Sequence, residues 1–149
     1  MRDQVFEQTR GEYTLSTDRQ WIDVGAVFEL LRVEHCGGQV TRPALDRAIE
    51  NSVCVGIYDT ANGDRQLAFA RVVTDLATFA YLTDVVVAPA ARGKGFGSWM
   101  IEAILGHPDL QGLRRFALLT RDASELYEKF GFSTDMPRSK YMELRPGGR

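Results

Sequence analysis

The sequence predicts a mixed α/β domain, a mostly antiparallel central sheet of six to seven strands flanked by about four helices. Three observations carry this. Two early stretches repeat apolar residues at helical spacing, three β-rich runs then follow one another across short turns, and a strand runs directly into a glycine-rich turn and a further helix. At 149 residues, a single domain over 1–149 is expected, with no linker.

Residues 12–16 alternate weakly, with Tyr13 and Leu15 apolar, and predict a short first strand. Ser16, Thr17 and Asp18 then offer helix caps. After them Trp21, Val24, Phe28 and Leu31 recur three and four apart, widened by Ile22, Val27 and Leu30, which is an amphipathic helix fraying by Gly37 and Gly38. Thr41 followed by Pro43 opens a second helix, carrying Ala44, Leu45, Ala48 and Ile49 on its apolar face. Residues 53–58, 67–73 and 79–87 read as strands, the first two joined through Asn62-Gly63 and the last two by a link at 74–77 short enough to make them antiparallel. Ala88-Pro89 ends this meander. A helix bearing Trp99, Met100, Ile101, Ala103, Ile104 and Leu105 follows the glycine turn, and His107-Pro108 stops it. Residues 116–120 predict a further strand and 123–130 a short helix, with Gly131 able to take the left-handed position after it. Two weaker strand candidates lie around Phe132 and at 141–144.

The totals narrow the function classes. Apolar residues make up 44% and charged residues 26%, and 18 Lys and Arg against 20 Asp and Glu leave a net charge of -2. Such a balance draws in neither nucleic acid nor an anionic membrane, so neither partner is expected, and an anionic ligand must be caught by a local cluster. Met1-Arg2-Asp3-Gln4 has no apolar signal core, and no apolar run approaches the roughly 20 residues of a membrane span. A cytoplasmic protein, monomer or homodimer, is expected. Cys36 and Cys54 form neither a disulfide framework nor a spaced metal set, and Cys54 among Val53, Val55 and Ile57 reads as a small packed hydrophobe. No group of His, Cys and carboxylates has ligand spacing, so no metal is expected.

The most informative stretch is Val85-Val86-Val87-Ala88-Pro89-Ala90-Ala91-Arg92-Gly93-Lys94-Gly95-Phe96-Gly97-Ser98. Alternating glycines let a bulky anion approach the backbone, consecutive amides converge on one place, and the helix N-terminus adds partial positive charge. Arg92 and Lys94 add two full charges. The spacing fits neither a P-loop nor a dinucleotide fingerprint, which would need a glycine where Ser98 stands. A tight strand-to-helix connection without a ligand would explain three glycines, but not the added cations.

Val87-x-Pro89-x-x-Arg92-Gly93-x-Gly95-x-Gly97 resembles the signature of the GNAT acetyltransferase superfamily, whose core pattern Arg/Gln-x-x-Gly-x-Gly/Ala is met by Arg92, Gly95 and Gly97. Leu126-Tyr127-Glu128-Lys129-Phe130-Gly131-Phe132 resembles the family's Leu-Tyr-x-x-x-Gly-Phe helix end, and the order of elements is similar from about residue 12 to 144. The resemblance implies acetyl-coenzyme A as cosubstrate, with its diphosphate on Arg92, Gly93, Lys94, Gly95, Phe96 and Gly97. It further implies a bulged strand at 83–87 that parts from its neighbour, so that Val85, Val86 and Val87 run along the pantetheine arm and hold the acetyl carbonyl.

Acetyl transfer to an amine requires loss of a proton from nitrogen, polarisation of the thioester carbonyl and protonation of the departing sulfur. By the resemblance Tyr127 is the acid, a phenol that keeps its proton at neutral pH; the alternative is a tyrosine packed on the sheet. Asp84 is the candidate base, and its alternative is a carboxylate paired with Arg71. His35 and Asp75 are weaker candidates, and His107 before Pro108 reads as structural. Relatives often carry asparagine where this chain has Asp122, so the expected pantetheine contact there is open, and Asp122 could simply cap its helix. The acceptor, a small amine, is expected between the first two helices and the loop at 34–40, with Trp21, Phe28 and Tyr81 as candidate walls. A non-catalytic acyl-CoA sensor on the same fold is the rival reading; it needs the turn but not Tyr127.

Overall fold

The computed structural model describes residues 4–34, 40–135 and 141–147. In chain order the elements are β1 (Glu7–Arg10), β2 (Tyr13–Ser16), α1 (Val24–Glu34), α2 (Arg42–Glu50), β3 (Val53–Asp59), β4 (Arg65–Thr74), β5 (Phe79–Val87), α3 (Phe96–Leu105), β6 (Arg115–Leu118) and α4 (Ser124–Glu128), with single 3₁₀ turns at Arg19–Trp21, Pro89–Ala91 and Pro108–Leu110. The six strands form one sheet in sequence order. Every neighbouring pair is antiparallel except β5 and β6, which are parallel because α3 carries the chain back across the sheet between them.

Helices cover both faces. Val27 and Leu31 of α1 and Leu45 and Ile49 of α2 pack on Cys54, Phe69 and Val86. On the other face Phe96, Trp99, Met100, Ile101, Ala103 and Ile104 of α3, with Tyr127 of α4, pack on Val53, Val55, Ile57, Ala68, Ala70, Val72, Ala80 and Leu82. The alternation along β3 and β4 thus sends consecutive side chains into two different cores, which is why these strands are apolar almost throughout. Gly56 has a specific reason to be glycine: a β-carbon there would meet the Tyr58 hydroxyl at 2.4 Å and Gln66 Nε2 at 2.8 Å. That leaves room for the Tyr58 ring, which lies edge-on to Trp21 at 5.0 Å between centroids.

The expected helices and meander are present, and the differences have local causes. The first strand is half of a hairpin, since β1 pairs with β2 across Gly11, whose φ is 59. Glu7–Arg10 reads Glu-Gln-Thr-Arg, a polar edge strand with no apolar alternation to reveal it. Trp21 belongs to the 3₁₀ turn rather than to α1, because Asp23 starts that helix by accepting from the Ala26 N–H at 3.0 Å. Asp18 caps the 3₁₀ turn instead, accepting from Gln20 N–H at 2.9 Å. The tail strands are not formed at Phe132 or at 141–144. Tyr141, Met142 and Leu144 are exposed, so their apolar alternation has no sheet edge to pack on.

Candidate active site

Two departures from regular pairing open the sheet at β5. On the β4 side, Thr83 stands opposite Arg71 and Val86 opposite Phe69, so Asp84 and Val85 together face the single residue Ala70. This is a β-bulge, and Asp84 is its turning residue, with φ 55 in the left-handed region that costs a non-glycine residue of order 1 kcal/mol or more. On the β6 side, pairing runs only from Phe79 opposite Arg115 to Leu82 opposite Leu118. Beyond Leu82 the two strands share no ladder, so residues 83–87 present an open backbone edge to the gap. Backbone donors and acceptors left unpaired at a sheet interior are satisfied by something else.

The gap leads to the glycine turn. Ala91 is buried and anchors the turn, while residues 92–95 are exposed. Gly93 and Gly95 have φ 81 and 80, and a β-carbon at either would touch nothing, so glycine is required here by backbone conformation rather than by crowding. Gly95 caps α3 without a side-chain cap hydrogen bond among the described residues, which leaves N–H groups of the first turn for another partner. Arg92 donates through Nη2 to Glu34 Oε2 at 3.2 Å, at the end of α1, and through Nε to the Val87 carbonyl at 3.3 Å. Lys94 makes no ion pair among the described residues. Phe96 contributes only its backbone to the turn, since its ring is buried edge-on to Tyr13 at 4.9 Å.

The second motif lies against the first. A β-carbon on Gly97 of α3 would stand 3.8 Å from Leu126 Cδ2 of α4. Tyr127, next in α4, is 8% exposed and its ring meets Phe132 at 6.0 Å. Burial pushes its phenol above the ordinary value, which keeps it protonated at neutral pH. Its hydroxyl has no hydrogen-bond partner among the described residues.

The remaining candidates separate. Asp84 is paired as one of its two readings required: its Oδ2 accepts from Arg71 Nε at 2.8 Å, with the side chains only 12% and 16% exposed. Arg71 also donates through Nη1 to Ser52 Oγ at 3.1 Å, and Ser52 is fully buried. Asp75 is committed to the link between β4 and β5, where it accepts from the N–H groups of Ala77, Thr78 and Phe79 and from the Thr78 hydroxyl. These donors hold its carboxyl far below the usual carboxylate range. His107 is buried, its Nδ1 accepting from Asp109 N–H at 3.1 Å, a structural histidine. Asp122 does not cap α4; the Thr120 hydroxyl accepts from Ala123 N–H at 3.0 Å instead. His35, Cys36 and most of the 34–40 loop lie outside the described residues. No helix among the described residues is long and apolar enough to cross a membrane.

Sequence reasoning missed two features. Glu34 as the partner of Arg92 joins residues far apart in the chain. A groove of about 240 Å³ beside the turn is lined by Arg10, Tyr13, Lys94, Gly95, Phe96 and Trp99, with the Arg10 guanidinium 4.6 Å over the Trp99 ring. No motif marks either, because both arise where the β1–β2 hairpin or the end of α1 meets the start of α3.

A mostly antiparallel sheet whose parallel β5–β6 pair parts beside a glycine turn, with a tyrosine-bearing helix against that turn, defines a coenzyme-A-type acyltransferase architecture. Residues 50–134 match the family model for the acetyltransferase (GNAT) domain, and the chain belongs to the GNAT acetyltransferases. FG08082 of Gibberella zeae, a protein whose name proposes an acetyltransferase, is 34% identical over 142 residues, covering 81% of this chain and 78% of that protein. The crystal structure of a GNAT-family protein from Xanthomonas campestris pv. campestris is 41% identical, with a TM-score of 0.82 over 91% of this chain and 94% of that one. SA2161 of meticillin-resistant Staphylococcus aureus, described as a protein of unknown function and a probable acetyltransferase, is 25% identical, with a TM-score of 0.71 over 89% of this chain and 98% of that one.

Proposed function

We propose that this acetyltransferase moves the acetyl group of acetyl-CoA onto the primary amine of a small molecule in the cytoplasm. The observation that carries the reading is the open edge of β5 from Thr83 to Val87, leading to a helix N-terminus that has no side-chain cap among the described residues and two exposed cations beside it. Arg92, Gly93, Lys94, Gly95, Phe96 and Gly97 hold the diphosphate, chiefly through backbone N–H groups. Val85, Val86 and Val87 hold the pantetheine arm by strand-like pairing, and an N–H of the bulge polarises the acetyl carbonyl. Bound acetyl-CoA supplies the activated thioester.

In the reaction the amine nitrogen bonds to the carbonyl carbon and the carbon–sulfur bond breaks. Asp84 takes the proton lost by nitrogen, directly or through a water, on the oxygen not held by Arg71. Tyr127 gives its phenolic proton to the departing thiolate. A small acceptor is favoured over a basic peptide because the sequence holds no acidic tract to draw such a peptide in.

The experiment is acetyl-CoA turnover, followed as thiol release, against a panel of amines, amino acids, polyamines and peptides. Turnover with at least one small amine is the expected result. Acetyl-CoA binding without turnover of any acceptor would replace this reading with that of a sensor domain.

A further inference from the structure

We propose that Arg71 is a positioning residue that sets the shape of the acetyl-binding bulge, holding Asp84 in its left-handed turn by bridging it to the buried Ser52. The inference rests on the reading of β5 as the acyl-CoA strand.

The case begins with the backbone. The bulge needs one residue at positive φ in mid-strand, and this chain uses aspartate rather than glycine there. Glycine would adopt that conformation freely, and would equally leave it freely. Aspartate tolerates it better than most residues but needs an anchor to stay. The anchor is visible. Arg71 sits on β4 directly beside Ala70, the residue the bulge straddles. Its guanidinium is a planar fork whose N–H groups point in fixed, different directions. One reaches Asp84 Oδ2 at 2.8 Å and another reaches Ser52 Oγ at 3.1 Å. Ser52 precedes β3 and is 1% exposed, so the fork is tied to the buried entry of that strand. The chain of contacts from Ser52 through Arg71 to Asp84 therefore fixes where Val85 turns its backbone, and Val85 is the residue next to the gap left by β6.

This role differs from that of an ordinary ion pair. An ion pair that merely stabilises the sheet would be replaceable by any well-packed pair of residues. A clamp on the φ of residue 84 is replaceable only by something that also keeps that φ. Removing Arg71 while placing glycine at 84 relieves both the unpaired buried carboxylate and the strain, and lets the bulge re-form.

The test compares wild type, Arg71→Met and the double variant Arg71→Met/Asp84→Gly. Amide resonances of Val85 and Val86 are followed by NMR with acetyl-CoA and with unacetylated CoA, and CoA affinity is measured by calorimetry. In wild type, the shifts caused by the two ligands differ at Val85 and Val86. In Arg71→Met that difference is expected to fall at least threefold while CoA, its diphosphate held by the turn, still binds. In the double variant the difference is expected to return. An undiminished difference in folded Arg71→Met overturns the proposal, and so does its failure to return in the double variant. If Arg71→Met does not fold, the double variant alone decides, through the presence or absence of the difference. No acetyl-CoA binding by wild type would overturn the acyl-CoA reading itself, and the proposal with it.

Discussion

Arg92 on the glycine turn and Glu34 at the C-terminal end of α1 are joined by an ion pair of 3.2 Å, with the two side chains 57% and 50% exposed. If Arg92 contacts a bound diphosphate, this pair competes with the ligand. Exposed pairs are worth about 0.2–1 kcal/mol, so Glu34→Gln should raise acetyl-CoA affinity about 1.4- to fivefold at low ionic strength. The gain should vanish in about 1 M salt, where surface charges are screened. Calorimetry at two salt concentrations checks this, and an unchanged low-salt affinity would show that Arg92 stays on α1 when ligand binds.

Gly95 caps α3 at φ 80 with open space around its α-carbon. Gly95→Val forces a β-branched residue into that conformation and should weaken acetyl-CoA binding at least tenfold, about 1.4 kcal/mol, as the turn relaxes. Nothing in the core touches this position, so the melting transition should remain cooperative. Full affinity in the folded variant would remove the turn from the binding site.

Tyr127→Phe keeps the ring against Phe132 and removes only the proton. Since the hydroxyl has no partner among the described residues, stability should hardly change. Turnover should drop by roughly 10² or more, with acetyl-CoA affinity unchanged. Wild-type turnover in the variant would return Tyr127 to the core and make solvent the acid.

Asp84→Asn preserves shape but removes basicity and the charge facing Arg71. The expected outcome is normal acetyl-CoA binding and turnover reduced at least tenfold, partly recovered as pH rises and free amine becomes available. A lower melting temperature with intact turnover per folded molecule would end the catalytic assignment and leave Asp84 as a bulge residue only.

Tyr58 is fully buried, and its hydroxyl has no hydrogen-bond partner among the described residues. Burial, with the nearby Cys54, Asp18 and Asp23, pushes its phenol well above the ordinary value of about 10. A raised folded pKa stabilises the protein fully below the unfolded value, and this contribution is lost as pH rises beyond it toward the folded value. Stability should therefore fall above about pH 10, and that loss should be smaller in Tyr58→Phe. At neutral pH the variant should be at least as stable as wild type, since it removes an unpaired buried hydroxyl. Chemical denaturation between pH 8 and 11 checks both statements; an unaltered alkaline limb would show that other groups govern it.

Much of this protein was legible from residues alone. The apolar spacing of α1 and α2, the Thr41 cap with Pro43, and β5 over Phe79–Val87 follow from local pattern, because helix and strand periods are set by backbone geometry and leave their mark in adjacent residues. The turn at 92–97 and the Tyr127 helix were equally legible, since glycines at positive φ and cations at a helix start are local demands. Polar β1 escaped notice because an edge strand is held by backbone pairing, which any sequence can make. The tail strands failed for the opposite reason: alternation was present at 141–144, but no neighbouring ladder received it.

What tertiary structure alone decided is which residues meet. The sequence placed Asp84 before three valines and offered both a free carboxylate and a pair with Arg71; folding β4 against β5 chose the pair and tied it to Ser52. It also chose the parting of β5 from β6 after Leu82, the approach of Leu126 to the Gly97 side of α3, and the hold of Glu34 on Arg92. Residue type and local spacing determine what a group can do, whereas the charge beside it and the strand that fails to pair with it depend on segments tens of residues away, brought together by burial of the two cores that cover this sheet.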